Sequence, residues 1–287
     1  MDKCYLCGGT DYDTIHEGVR ENPNINVLKC KRCGLVQLSK FIKNVDEFYH
    51  ESGMWNYETP NLDKLRNETH DDDYRRFLFT RNKILNKVVC DFGCGAGGYL
   101  MEAAEIASEV YGIELEYVMR NSLNGGGVKC FPSLDVAEKE LAGKVDVLTL
   151  WHVFEHLEDP IGILRRLKKL LTPEGVIYIE VPNANDALLS LYTCEAFADF
   201  TYWECHLFLF NNETLKQIIE RAGMKVNFQT QVQRYPLANH LYWLTHGKPG
   251  GHMKWNFLNR NAMDREYEQM LISIGKADTL VAEITVS

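Results

Sequence analysis

The chain has 287 residues, 45 % of them apolar, with 31 basic and 40 acidic side chains and a net charge of -9. This length allows one large domain or a main domain with a small appendage, and no run nears the roughly 20 apolar residues that a bilayer span requires. Met1-Asp2-Lys3-Cys4 lacks the basic start of a secretory signal, so the expected setting is cytoplasmic, with no membrane partner, and the acidic field favours a small substrate over nucleic acid.

Four of the nine cysteines stand at the N-terminus as Cys4-Tyr5-Leu6-Cys7 and Cys30-Lys31-Arg32-Cys33, each pair followed by glycine, Gly8 and Gly34, with 22 residues between the pairs. Two such knuckles supply the four soft ligands of a tetrahedral zinc ion. Four cysteines leave no coordination position for water, so Cys4, Cys7, Cys30 and Cys33 are expected to hold structural zinc in a ribbon over residues 1–43, with a short strand at 26–29. A unit of this size has little core of its own, and bound metal would supply much of its stability. The ribbon carries seven Lys/Arg against five Asp/Glu, leaving -11 for the remainder. Packing, homodimerisation or construction of the substrate site fits it better than nucleic-acid binding. Cys90, Cys94, Cys130, Cys194 and Cys205 lack ligand spacing and read as small apolar residues.

Residues 44–86 are polar and aromatic, with Tyr49, Trp55 and Tyr57 ahead of Asp71-Asp72-Asp73. Acidic residues suit a helix start, so a helical bridge or lid is expected, its last helix beginning at the acidic triplet. Strands and helices then alternate, the pattern of a parallel sheet flanked by helices. Strands are predicted at 87–92, 109–114, 128–131, 145–151, 176–181, 224–232 and 279–286. Helices are predicted at 98–107, 115–123, 161–171 and 213–222, the third closed by Thr172-Pro173-Glu174-Gly175. An insertion at 234–277 is rich in His, Trp, Gly and Pro.

Asp91-Phe92-Gly93-Cys94-Gly95-Ala96-Gly97-Gly98 runs from a strand through a glycine turn into a helix. Gly93, Gly95 and Gly98 satisfy the dinucleotide pattern, whereas Asp91, Gly93, Gly95 and Gly97 satisfy the D-x-G-x-G-x-G loop of nucleoside-binding methyltransferases. An acid two residues before the first glycine would crowd a pyrophosphate but suits a cation. S-adenosylmethionine, with a sulfonium and an ammonium, therefore fits Asp91 better than a nicotinamide dinucleotide does. Glu114, at the end of the next strand, can take the ribose hydroxyls of either cofactor.

The fourth strand and the segment after it, Asp146 to Pro160 with Trp151-His152 and Glu155-His156, resemble the class I S-adenosylmethionine-dependent methyltransferases, most closely the branch with an N-terminal zinc-binding segment. Gly112-Ile113-Glu114, Leu171 to Gly175, Glu180-Val181-Pro182-Asn183 and His206 to Phe210 match as well, and the likeness covers residues 87–232. It implies an α/β fold: a Rossmann-like seven-stranded sheet of order 3-2-1-4-5-7-6 with helices on both faces and strand seven antiparallel, filling residues 87–287. It also implies that Asp91, Gly93, Gly95 and Gly97 border the methionine part of the cofactor and Glu114 the ribose. Ser133 and Leu134 would lie near adenine, and Trp151 and His152 on the methyl-donor side.

Methyl transfer to an alcohol needs alignment and a base. His156 is the first choice for the base, with Glu155 orienting it; similar sugar methyltransferases use a Glu-His pair at this place. Glu204 and His206, in Tyr202-Trp203-Glu204-Cys205-His206, are the alternatives. The expected function is O-methylation of a sugar or nucleotide-linked sugar, with Asn239 to His252 contributing to the acceptor site as a lid. The competing readings are an RNA base methyltransferase carrying a zinc finger, a nicotinamide enzyme, and a binding module without activity.

Overall fold

The computed structural model describes residues 3–41, 48–49, 59 and 61–286. Trp55 and Tyr57 lie outside the described residues. The N-terminal segment forms β1 (Tyr12–His16), β2 (Val27–Cys30) and β3 (Val36–Leu38). Its sheet is completed from far along the chain by β9 (Phe208–Leu209), in the order β1-β2-β3-β9 with antiparallel pairs throughout.

Helix α1 (Leu62–Ile84) starts nine residues before the predicted acidic start, because Asn61 caps it by accepting the Lys64 N–H at 3.0 Å. The acidic triplet therefore sits in mid-helix. Asp72 meets Arg75 and Arg234, and Asp73 accepts from Thr69 and Arg76. The expected helix start at the triplet is thus not observed.

The main sheet is built from β4 (Val88–Phe92), β5 (Glu109–Ile113), β6 (Lys129–Phe131), β7 (Val145–Trp151), β8 (Leu171–Pro182), β10 (Met224–Val232) and β11 (Thr279–Val286). Their spatial order is β10-β11-β8-β7-β4-β5-β6, with β11 antiparallel to both neighbours. Numbered within the sheet, this is the expected 3-2-1-4-5-7-6. Alternation along the strands sends their side chains to two faces. From β7 and β8, Leu148, Leu150, Ile177 and Ile179 pack with Leu164, Leu167 and Ile218, whereas Val147, Trp151, Val176 and Tyr178 pack with Phe77, Ile84 and Tyr99. Both faces are thus covered by helices, which explains the near-continuous apolar runs of β7 and β8.

The connecting helices are α2 (Gly98–Ala104), α3 (Tyr117–Gly125), α4 (Leu134–Leu141), α5 (Pro160–Leu167), α6 (Ala187–Ser190), α7 (Glu195–Thr201) and α8 (Asn212–Arg221). Three departures from expectation matter. Helix α4 is absent from the predicted elements, and Leu134, its first residue, is buried in the core. Residues 172–175, expected as a helix stop, open β8 instead, because a 3-10 turn at Lys168–Leu170 has already ended α5. The insertion is largely helical, with α9 (Leu237–His246), α10 (Gly251–Lys254) and α11 (Asn261–Ser273).

Candidate active site

Strand β4 delivers Asp91 and the glycine turn to the carboxyl edge of the sheet. Gly93, Gly95 and Gly97 all have left-handed backbones, but their surroundings differ. A Cβ on Gly93 would lie 2.5 Å from Val153, and one on Gly97 would lie 2.3 Å from Leu123. Those two glycines let the turn pack against the protein. A Cβ on Gly95 would meet nothing within 4 Å, so this turn of backbone faces open space where a ligand can approach.

Beside that space, Glu114 accepts the Gly95 N–H at 2.8 Å through Oε2 and the Glu116 N–H at 2.8 Å through Oε1. A carboxylate offers about four acceptor directions, so capacity for two ribose hydroxyls remains. Asp91 is buried and accepts from the Thr149 hydroxyl at 2.6 Å. Burial pushes its carboxyl up to about 8, with Thr149 and Arg76 offsetting this only in part. A buried acid short of positive charge suits a cationic ligand. These features fit a nucleoside carrying an ammonium or sulfonium. Ser133 begins α4. Trp151 is packed between Tyr99 and Tyr178 and under the Arg76 guanidinium, and its buried indole N–H has no partner among the described residues.

After β7 the chain makes a 3-10 turn at Phe154–His156, docked on the glycine loop through Val153. His152, with φ +55°, turns back toward Glu155. His152 Nε2 lies 3.1 Å from Arg234 Nη1 and 3.4 Å from Glu180 Oε1, and its Nδ1 lies 3.2 Å from Glu155 Oε1; against burial and Arg234, the two carboxylates raise the His152 pKa. Arg234 is itself paired with Asp72 of α1, so the insertion and α1 meet over this histidine.

Glu155 is fully buried, and its Oε2 has no hydrogen-bond partner among the described residues. Burial would raise its pKa, but the His152 hydrogen bond and the nearby His156, His152 and His206 outweigh that and hold it at about 2. His156 places Nε2 3.8 Å from Glu155 Oε1 and Nδ1 2.9 Å from Tyr49 Oη, and its ring also bonds to the Cys205 backbone. With the proton on Nδ1, Nε2 is the free basic nitrogen. Burial lowers the His156 pKa despite Glu155. His206 stacks edge-on to His156 at 5.1 Å and to Trp203 at 5.3 Å, and its Nδ1 has no partner among the described residues. Burial and His156 hold it at about 3. Ligand atoms of Glu155, His156 and His206 lie within 4.8 Å of one another, a set that can grip an acceptor hydroxyl or a divalent cation. Glu204 stands apart from this cluster, with its N–H on Glu21 of the N-terminal segment.

Below the cluster, Glu180 at the end of β8 accepts from Arg75 at 2.9 Å and Arg76 at 2.8 Å. Sequence reasoning passes over Glu180, although a lone acid inside the apolar run Val176–Val181 is itself a signal. It also misses Arg234 and Asp72, which no local pattern joins.

A family model described as a methyltransferase domain matches residues 63–227, more than half of the chain. The chain belongs to this methyltransferase-domain family. Among curated proteins it is 32 % identical over 114 residues to the ubiquinone biosynthesis O-methyltransferase of Haemophilus ducreyi, covering 36 % of this chain and 48 % of that protein. To the protein of the same name from Acinetobacter baylyi it is 26 % identical over 176 residues, covering 56 % and 72 %. The matched region thus spans about half the length of the first of these relatives. Among solved structures, the magnesium protoporphyrin IX methyltransferase of Synechocystis PCC 6803 with bound SAH superposes with a TM-score of 0.50 at 14 % identity, covering 85 % of this chain and 98 % of that one. The cyclopropane synthase MmaA2 of Mycobacterium tuberculosis gives 0.50 at 14 %, covering 74 % and 83 %. At that identity the likeness is one of fold, and fold leaves the acceptor open.

Outside the matched region of the methyltransferase domain, the four N-terminal cysteines converge. Cys4 and Cys33 sulfurs are 3.5 Å apart, as are those of Cys7 and Cys30, and all four are free thiols. Tetrahedral zinc with Zn–S of about 2.3 Å needs sulfurs roughly 3.8 Å apart. The knuckles have equivalent turns, with Gly8 N–H on the Cys4 carbonyl and Gly34 N–H on the Cys30 carbonyl, both at 2.8 Å. The four thiols fit such an ion.

Proposed function

We propose that the protein is an S-adenosylmethionine-dependent methyltransferase acting on a hydroxyl of a small molecule, with His156 as general base. The observation that carries this reading is the placement of Glu155 and His156 on a turn packed against the glycine loop, with His206, from the segment before β9, brought within reach of both. Asp91 and the open backbone at Gly95 would hold the methionine part of the cofactor and Glu114 its ribose, with Ser133 and Leu134 at adenine and Trp151 and His152 on the methyl-donor side. When bound, the cofactor supplies an electrophilic methyl group. His156 accepts the hydroxyl proton on Nε2, and the ionised Glu155 stabilises the imidazolium. His206 orients the hydroxyl. Burial of the cluster excludes competing water.

The relatives named for ubiquinone biosynthesis support O-methylation of a small molecule; a sugar acceptor rests on the resemblance of the Glu155-His156 pair alone. Transfer of labelled methyl to a panel of phenolic acceptors, nucleotide sugars and RNA tests the reading. Labelling of a small hydroxylated acceptor, lost in His156→Ala, is expected. Labelling of RNA alone, or binding of NAD in place of S-adenosylmethionine, overturns it.

We further propose that Cys4, Cys7, Cys30 and Cys33 bind structural zinc in a ribbon at residues 1–43, joined through 44–86 to a catalytic domain at 87–287. Zinc released by thiol titration should approach one ion per chain. A chain purified without zinc that unfolds no earlier than the loaded one speaks against it.

A further inference from the structure

The chain from the last residue of α8 through β10 and into the insertion has an unusual charge pattern. From Arg221 to Met263, 43 consecutive residues contain no Asp or Glu and six Lys or Arg, of which Arg234 is paired with Asp72, in a chain whose net charge is -9. Within that stretch α9, α10 and a 3-10 turn at Asn256–Leu258 pack on one another. Three rings cluster there: Tyr242, which is buried, stacks on His246 at 4.2 Å, and Trp255 meets both edge-on at 5.3 and 5.4 Å. Met253 and Phe257 are left outside at 67 % and 66 % exposure, the most exposed large apolar side chains among the described residues. Lys248, Lys254 and Arg260, which flank them in sequence, are exposed, and none forms an ion pair among the described residues.

Two exposed apolar side chains on a segment that also carries three exposed, unpaired cations match an interface that is both anionic and apolar. An anionic bilayer offers both, with phosphates for the cations and, just beneath, an apolar layer for Met253 and Phe257. Nucleic acid would satisfy the cations but leave the methionine in water, and its long charged backbone would run into the field of the acidic remainder. We propose that residues 244–260 dock the protein peripherally on an anionic lipid surface. No helix among the described residues is long and apolar enough to cross a membrane; the contact is with the surface alone. The proposal departs from the sequence-based expectation of no membrane partner and stands independently of the methyl-transfer reading.

Cosedimentation of the full chain with vesicles tests it, comparing phosphatidylcholine alone with phosphatidylcholine plus phosphatidylglycerol at low salt. Binding to the anionic vesicles should exceed that to the neutral ones by on the order of tenfold or more and fall steeply with added salt. Lys248→Glu with Lys254→Glu should erase the lipid preference, and Met253→Ser with Phe257→Ser should weaken binding severalfold. Both pairs are exposed, so circular dichroism and thermal unfolding should match the parent. Equal binding to both vesicles, no binding at low salt, or parental binding by both variants overturns the proposal. Retention on RNA without vesicle binding, abolished by the same variants, overturns it in favour of a nucleic-acid surface.

Discussion

Tyr5, inside the first cysteine knuckle, donates its hydroxyl hydrogen to Asp159 at 2.5 Å and accepts the Ile161 N–H at 3.0 Å. Asp159 is also the N-cap of α5, accepting from Gly162 at 3.0 Å, and it lies three residues beyond His156. The knuckle is thereby tied to the turn that carries the proposed base. Tyr5→Phe should cost about 1 kcal/mol of stability, and Asp159→Ala about 1–2 kcal/mol, because it also removes the cap. A double-mutant cycle in urea should show coupling between the two; additive losses would mean that the bond contributes nothing.

As the proposed base, the half-buried His156 should give activity a defined acid limb. A base must be unprotonated, so activity falls as pH drops through its pKa, and burial sets that pKa below the ordinary histidine value. The midpoint of the acid limb should therefore lie below the ordinary histidine value. Removing the Glu155 charge lowers the His156 pKa further, so Glu155→Gln should move the limb to lower pH while reducing kcat. His156→Ala should cost about 10²–10⁴-fold in kcat, with S-adenosylmethionine affinity by calorimetry nearly unchanged. An unmoved limb in Glu155→Gln would exclude His156 as the titrating base.

Asp91 links cofactor affinity to pH. In the free protein its carboxyl sits at about 8, and a cationic ligand must draw it into the ionised form. Affinity for S-adenosylmethionine should weaken as pH falls below 8, by up to about tenfold per unit, with proton release on binding detectable in buffers of different ionisation enthalpy. Asp91→Asn should bind weakly and lose this slope. A parental slope in that variant would assign it elsewhere.

Glu180 is a stability element with a pH signature. Its carboxyl is held well below the usual range, the Arg76, His152 and Arg75 interactions outweighing a large burial cost. Its contribution is present above the unfolded carboxylate pKa and is lost as pH falls through the depressed folded value. Glu180→Ala should destabilise by about 3–5 kcal/mol, since Arg75 and Arg76 lose their shared partner. Urea unfolding at neutral and acidic pH checks both statements; a loss that persists undiminished at the acid end would contradict the second.

Legibility tracks locality. The strands at 145–151, 224–232 and 279–286 are legible to the residue, the first and last because a buried strand shows contiguous apolar and β-branched residues and the second through its apolar–polar alternation. The glycine turn is legible as a local pattern too, as are the two knuckles. The α1 start is misplaced by sequence because one capping side chain, Asn61, outweighs three acids whose partners lie elsewhere. Arg234 and Asp72 are 162 residues apart, and only the fold brings them together over His152. The packing duties of Gly93 and Gly97 are hidden likewise, since Val153 and Leu123 are their neighbours in space and not in sequence.

The pairing of β3 with β9 bears on the order of events during synthesis. Val36 finds its partner in Leu209, and Gln37 in Phe208. While the ribosome makes the intervening chain, β3 is an open strand edge, available to any extended segment that passes. At about 5–20 residues per second that exposure lasts on the order of ten seconds or more. A ligated ion can hold the two knuckles together through that interval, whereas the sheet cannot close before residue 209 has emerged. The final seal on the first unit to appear is thus a segment that also carries His206, so N-terminal completion and assembly of the active-site cluster form a single step.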